Sequence, residues 1–115
     1  MATTFDARER AAERRFVLEE EARFHARNRR NRLLAVWACE RMGLTGPAAD
    51  GYVAAFTACA VVASDETLIA RLRGDLAAAG IGVTLRHLRT EMSRCAALAR
   101  AEQRGGVALD QGSPV

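Results

Sequence analysis

The densest group of side chains that could do chemistry is the run RNRRNR, with four arginines at six consecutive positions. Guanidinium groups bind phosphate oxygens, so this run could contact a nucleic acid backbone or a nucleotide. However, acidic residues lie just upstream, the run holds no aromatic residue for base stacking, and no helix-turn-helix pattern surrounds it. We interpret it first as a hydrated helix face. Phosphate binding is the alternative, and it would use Arg27, Arg29, Arg30 and Arg32.

No other group of residues has the spacing of a catalytic site. The sequence contains no phosphate-binding glycine loop, no nucleophile elbow and no HExxH motif. The carboxylates of Glu19, Glu20 and Glu21 would point to different sides of a helix, and His25 and His87 are single. We therefore predict no catalytic residue and do not expect an enzyme.

The three cysteines lie far apart, each within an apolar helical pattern: Cys39, Cys59 and Cys95. This spacing does not provide the paired ligands of a zinc site, so no metal site is predicted. An odd number of scattered thiols is typical of a reducing compartment, where they serve as small core residues.

The elements that carry these residues are predicted to be helices. Between Thr4 and Arg41 there is no glycine or proline, which allows one long helix or two end to end, with Thr4 or Asp6 as the N-cap. Breaks follow near residues 43 to 47, 63 to 65 and 80 to 84. Because short connections favour antiparallel neighbours, we predict an all-α fold, a small four-helix bundle.

Apolar residues at helical spacing predict the core of the bundle. They are Phe24, Leu33, Leu34, Val36 and Trp37 in the first helix, Tyr52, Val53, Phe56, Cys59, Ala60 and Ala63 in the second, Leu68, Leu72 and Leu76 in the third, and Leu85, Leu88, Met92, Cys95 and Ala99 in the fourth. Pro47 suits the first turn of the second helix, and Ser64 and Thr84 are the predicted N-caps of the third and fourth.

The N-terminal segment TTFDARERAAERRF is different from the rest of the chain. Between Phe5 and Phe16 every residue is charged or is alanine, so the segment favours a helix but has little to bury. Residues 1 to 32 hold nine arginines against six acids, whereas the rest of the chain is neutral. We predict three parts: a long, partly mobile helical arm (residues 1–20), a helical bundle (21–104) and a disordered tail (105–115).

The composition also bears on location. The longest apolar run, from Tyr52 to Val62, is far shorter than the roughly 20 residues that cross a bilayer, so no membrane insertion is expected. The charged N-terminus does not resemble a secretory signal, and we expect a cytoplasmic protein.

Three separated blocks, TTFDARERAAERRF, RRNRLLAVWACERMG and DLAAAGIGVTLRHLRTEM, together resemble the zeta-subunit family of alphaproteobacterial F-type ATP synthases. The similarity runs from Thr3 to about Gln103. It departs from the family pattern at Ala35, at Cys39 and in the residues before Met92, all of which belong to the predicted bundle.

The resemblance implies a four-helix bundle and a regulatory inhibitor of ATP hydrolysis. It implies that the N-terminal helix enters a catalytic interface of the ATPase head, against the central shaft. The implied partner-binding residues are Phe5, Asp6, Arg8, Glu9, Arg10, Glu13 and Phe16. No cofactor is required. The resemblance also implies ADP or ATP as a regulatory ligand on the bundle surface, with no residues assigned to its site. The alternatives are a basic nucleic-acid- or nucleotide-binding protein, with nucleic acid disfavoured by the acids near RNRRNR, and a general protein-interaction bundle.

Overall fold

In a computed structural model, the backbone is described for residues 2–112 and the side chains for residues 4–106. Four helices occupy this part of the chain, and no strand occurs in it: α1 (Ala2–Met42), α2 (Gly46–Ala60), α3 (Asp65–Ala78) and α4 (Leu85–Gly112). The all-α four-helix prediction is therefore confirmed. Within residues 2–112 no helix is apolar over a length that could cross a membrane.

The helix α1 sets the shape of the molecule. It is one continuous helix of 41 residues, which at a rise of 1.5 Å per residue is about 61 Å long. The longest dimension of the protein is 68 Å, against 36 and 25 Å in the other two directions. Because α2, α3 and α4 all pack against the second half of α1, the first half projects from the bundle.

The ends of α1 and α3 share one motif. Gly43, with φ of 73°, follows α1, and the Leu44 amide donates to the carbonyl of Cys39 at 2.9 Å. Gly80, with φ of 83°, follows α3, and the Ile81 amide donates to Leu76 at 2.8 Å. Both are Schellman endings, which need a left-handed residue after the helix. Leu44 and Ile81 then pack on the core and fix the direction of the chain.

The helix starts agree with the sequence prediction at three of the four positions. Pro47 lies in the first turn of α2. The Ser64 hydroxyl accepts a hydrogen bond from the Thr67 amide, and the Thr84 hydroxyl accepts one from the His87 amide. At α1 the prediction is wrong. The helix begins at Ala2, so Thr4 and Asp6 lie inside it, because no residue between them and Ala2 interrupts helical geometry.

Most of the predicted core is buried. The fully buried side chains include Leu34, Phe56, Leu68, Leu72, Leu76, Leu88 and Cys95. The helices α2 and α3 run antiparallel, since Tyr52 on α2 donates to Asp75 on α3 at 2.7 Å while Phe56 lies against Arg71. The helix α4 also runs antiparallel to α1, with His87 beside Trp37 and Gln103 beside Ala22.

The prediction was wrong for two residues of α1. Phe24 and Val36 are exposed, and Leu33 is only half-buried. The turn between α2 and α3 reaches α1 at Arg27, so no helix on that side extends down to Phe24. Tyr52 and Cys59 on α2 are half-buried, and so is Ala63, which lies in the turn after α2 and not in the second helix as predicted.

The ends of the predicted three-part division remain predictions. The helix α4 continues to Gly112, so it includes residues 105–112, where the sequence predicts a disordered tail. Residues 113–115 of that tail lie outside the described part of the chain.

Candidate protein-interaction site

The arm presents its side chains to solvent. Every residue from Thr4 to Glu21 is exposed, and the first half-buried residue of α1 is Ala22. Phe5 is 70% exposed and Phe16 63% exposed. Large apolar side chains that remain uncovered on a charged helix are typical of a surface that binds another protein.

Sequence reasoning missed further apolar side chains beside Phe16. Val17 and Leu18 follow it directly and are also exposed. Phe24, which was predicted for the core, is 54% exposed as well. The signal was present, because the run FVL contains no charged residue in a segment otherwise made of charge and alanine. The apolar surface of the projecting helix is therefore larger than the two predicted phenylalanines.

Opposite charges four residues apart in the arm are not paired among the described side chains. Spacing of four residues favours pairing of Asp6 with Arg10 and of Arg15 with Glu19, yet among the described side chains neither pair is within 4 Å. Arg23 instead pairs with Glu20, one turn back. The partner-binding charges predicted from the resemblance, which are Asp6, Arg8, Glu9, Arg10 and Glu13, all lie exposed with no ion pair in the described part of the chain.

The arginines of the RNRRNR run meet the bundle. Arg30 donates to both carboxylate oxygens of Asp65 at 3.1 and 2.8 Å, in a bidentate pair between α1 and the first turn of α3. Arg27 donates to the Ala63 carbonyl at 2.9 Å and lies 3.8 Å from Asp65. Hydrogen bonding from Arg30 lowers the pKa of Asp65 below its usual value. These contacts attach the start of α3 to α1.

Asn31 explains why Arg30 is held so closely. The Asn31 side chain is 1% exposed, and its carbonyl oxygen accepts from Arg30 Nε at 3.0 Å and from Nη2 at 2.8 Å. A buried amide oxygen without a donor would be destabilising. The side chain of Arg30, which is 11% exposed, therefore satisfies Asn31 and Asp65 together.

Arg29 attaches α1 to α4. Its Nε and Nη2 donate to Glu102 at 2.7 and 3.2 Å, and this lowers the pKa of Glu102. One residue further along, the Gln103 amide donates to the Ala22 carbonyl at 2.9 Å. These two contacts hold α1 at the level where it leaves the bundle.

Three of the four candidate phosphate-binding arginines therefore already have acidic partners, namely Arg27, Arg29 and Arg30. Arg32 is exposed beside a shallow groove between α1 and α2. A phosphate would have to displace Asp65 and Glu102 to use the other three. Phosphate binding at this run stays a prediction.

The remaining candidates for chemistry lie apart. Cys39 and Cys95 are buried, Cys59 is half-buried, and burial raises the pKa of the first two thiols. No three His, Cys, Asp or Glu side chains of the described residues are grouped as metal ligands. His87 stacks on Trp37, with a centroid distance of 5.9 Å, and the Arg41 guanidinium lies 5.5 Å from the same indole ring.

Comparison with known proteins adds one finding. The family model for the ATPase inhibitor subunit zeta matches residues 1–102, which include the arm and nearly all of the bundle. Neither the curated proteins nor the solved structures contain a match to this sequence.

Proposed function

The chain belongs to the ATPase inhibitor subunit zeta family, and on that premise we propose that its N-terminal arm inhibits ATP hydrolysis by the F-type ATP synthase. In this proposal the arm enters a catalytic interface of the ATPase head, against the central shaft. The bundle remains outside the interface. The protein acts as a regulator of another enzyme and requires no cofactor of its own.

The observation that carries the proposal is the exposure of the arm. Its aromatic side chains, Phe5 and Phe16, are more than half exposed, although the same helix contributes fully buried side chains such as Leu34 to the core. A helix without tertiary packing is only marginally stable in water. A partner that covers the arm would supply the packing that the bundle does not.

The predicted partner-binding residues fit two roles. Phe5 and Phe16 would be the anchors, because aromatic residues buried at the centre of an interface dominate binding energy. The charges at Asp6, Arg8, Glu9, Arg10 and Glu13 would select partner groups and orient the helix. Ordering the arm on binding costs several kcal/mol, so we expect moderate affinity that regulation can adjust.

The test is ATP hydrolysis by the purified soluble head of the cognate ATPase. It is titrated with the full chain and with a form lacking residues 1–16. All described hydrogen bonds and ion pairs between α1 and the other helices lie at Ala22 or beyond, so the shortened form should melt at nearly the same temperature. We expect the full chain to inhibit and the shortened form not to inhibit.

Two results would contradict the proposal. Equal inhibition by both forms would assign the activity to the bundle, and absence of inhibition by the full chain would separate this member from its family's function. Loss of the thermal transition in the shortened form would contradict the division into arm and bundle.

The alternative, binding of nucleic acid or a nucleotide by Arg27, Arg29, Arg30 and Arg32, is less well supported. Acidic side chains of the bundle already occupy three of these arginines. Polyanion binding predicts a steep loss of affinity with added salt, and ADP or ATP as a regulatory ligand predicts a shift of the melting temperature on titration.

The expected location follows from the proposed partner. The protein would stay in the cytoplasm and reach the membrane only through the ATP synthase. A general protein-interaction bundle would explain the arm equally well but would bind a different partner, which co-purification would identify.

A further inference from the structure

The arm has one side defined by its two phenylalanines. Phe5 and Phe16 are 11 residues apart, which on an α-helix is about three turns, an angle of about 20° and a distance of about 16 Å along the axis. Ala12 lies between them on the same side, and all three are exposed. We name this side the Phe5–Phe16 face.

The charges of residues 5–16 are sorted around that face. At about 100° per residue, all three acids of the segment fall on one edge of the face: Asp6, Glu9 and Glu13. Arg8 and Arg15 fall on the opposite edge. Arg10 and Arg14 lie at about 140° and 180° from Phe5 on the same count, on the back of the helix.

These edge charges have no partners within the described part of the chain. None of the five forms an ion pair, and all are exposed. By contrast, Arg27, Arg29 and Arg30 on the same helix are all paired with acids of the bundle. An exposed aromatic face with an acidic edge and a basic edge fits a partner surface that places basic groups against the acidic edge and acidic groups against the basic edge.

A second copy of the chain does not fit the Phe5–Phe16 face in either orientation. In an antiparallel helix pair each edge faces the same edge of the other copy, so Asp6 would meet Glu13 and Arg8 would meet Arg15. A parallel pair would bring the acidic edge of one copy to the basic edge of the other, but it would place Glu9 against Glu9 near the seam. It would also bring the two bundles together at one end. Phe16 and Leu34 are five turns apart on one side of α1, and Leu34 is fully buried, so each bundle lies on the side of the face and the two would collide.

Resting on the proposed function, we propose that the Phe5–Phe16 face docks into a groove of the ATPase head with two apolar pockets about 16 Å apart. A basic wall of that groove faces Asp6, Glu9 and Glu13, and an acidic wall faces Arg8 and Arg15. Arg14 points away from the groove. The bundle, which packs on the same side of α1, limits how far the arm enters.

The experiment compares matched substitutions in the full chain. R15Q removes one positive charge from the basic edge, and R14Q removes one from the back, at the neighbouring position. The two variants have the same net charge, so long-range attraction to the ATPase changes equally. E9Q/E13Q tests the acidic edge. Each variant is measured for affinity to the purified ATPase head and for half-inhibitory concentration, with circular dichroism as a check on folding.

We expect R15Q to weaken binding and inhibition about fivefold and E9Q/E13Q about tenfold, and R14Q to change them less than about twofold. Equal losses for R15Q and R14Q would overturn the proposal, and so would tighter binding by E9Q/E13Q. A concentration-dependent dimer of the full chain in sedimentation, lost in F5A/F16A, would assign the face to a second copy instead.

The affinity measurement separates this proposal from the proposed function. If the full chain binds the ATPase head without inhibiting it, the inhibitory function fails while the affinities still decide the orientation of the arm. If the full chain neither binds nor inhibits, both proposals are overturned.

Discussion

The two halves of α1 have the same conformation and opposite surroundings. Residues 4–21 are exposed throughout, whereas the half from Asn31 onward contributes Leu34, Trp37 and other core residues. Phe16 and Leu34 show the contrast most directly, because 18 residues are five helical turns and place both side chains on one side. Phe16 is 63% exposed and Leu34 fully buried. The difference therefore depends on how far the other helices reach along α1.

The largest expected effect comes from breaking the buried half. Leu34→Ala should lower the free energy of unfolding by about 3 kcal/mol, since it removes a fully buried side chain from a packed core. Phe16→Ala should change it by less than about 0.5 kcal/mol, because the side chain is exposed. Urea titrations of the two variants measure both values. A large loss of stability for Phe16→Ala would mean that the arm packs on the bundle in solution.

The next effect concerns the exposed half. Phe5→Ala should raise the half-inhibitory concentration about thirtyfold, the equivalent of about 2 kcal/mol for an aromatic anchor. Arg41→Ala is the control in the bundle half. It removes only a guanidinium that lies over Trp37, and inhibition should stay within about twofold of the full chain. Equal losses in the two variants would remove the distinction between arm and bundle.

The fold could be predicted from sequence where local chemistry decides it. Gly43 and Gly80 mark the ends of α1 and α3 because each takes the left-handed conformation that a Schellman ending needs. Ser64 and Thr84 mark helix starts because their hydroxyls accept from amides three residues on. In both cases the signal and its structural consequence lie within one or two turns.

Prediction failed where distant elements decide the outcome. Phe24 is a large apolar residue, which favours a place in the core. It is exposed because the turn between α2 and α3 meets α1 at Arg27, one turn closer to the bundle. Likewise RNRRNR is a dense basic run by composition, but Asp65 and Glu102 reach it from positions 35 and 73 residues away. No local sequence pattern predicts these partners. The arm residues proposed for binding are exposed, and their roles stay predictions.

A smaller effect tests whether arginines of the two halves differ in role. Arg30→Ala should destabilise the protein by about 1–2 kcal/mol, because the buried oxygen of Asn31 loses both of its donors. Arg8→Ala in the arm should change stability by less than about 0.5 kcal/mol. Thermal or urea unfolding of the two variants gives the comparison.

Restoring stability by a second change would support the reason given for Arg30. In Arg30→Ala/Asn31→Leu the unpaired buried oxygen is absent, so the double variant should recover part of the loss. If Arg30→Ala is as stable as the full chain, a water or a rearranged side chain satisfies Asn31 and the contact adds no stability.

The smallest effect is the pH dependence of the ion pairs that hold the bundle half. Arg30 lowers the pKa of Asp65 and Arg29 lowers that of Glu102. A carboxylate with a lowered pKa in the folded state adds stability that is complete above its unfolded pKa, about 4, and is lost as the pH falls through the folded pKa. Melting temperatures should therefore decrease at pH values below about 4.

Asp65→Asn should be less stable than the full chain at pH 7, and the difference should shrink toward pH 2. Because both carboxylates are about half exposed, solvent screening keeps the effect below that of Arg30→Ala. A difference that stayed constant from pH 7 to pH 2 would mean that Asp65 acts through its shape and hydrogen bonds instead of its charge.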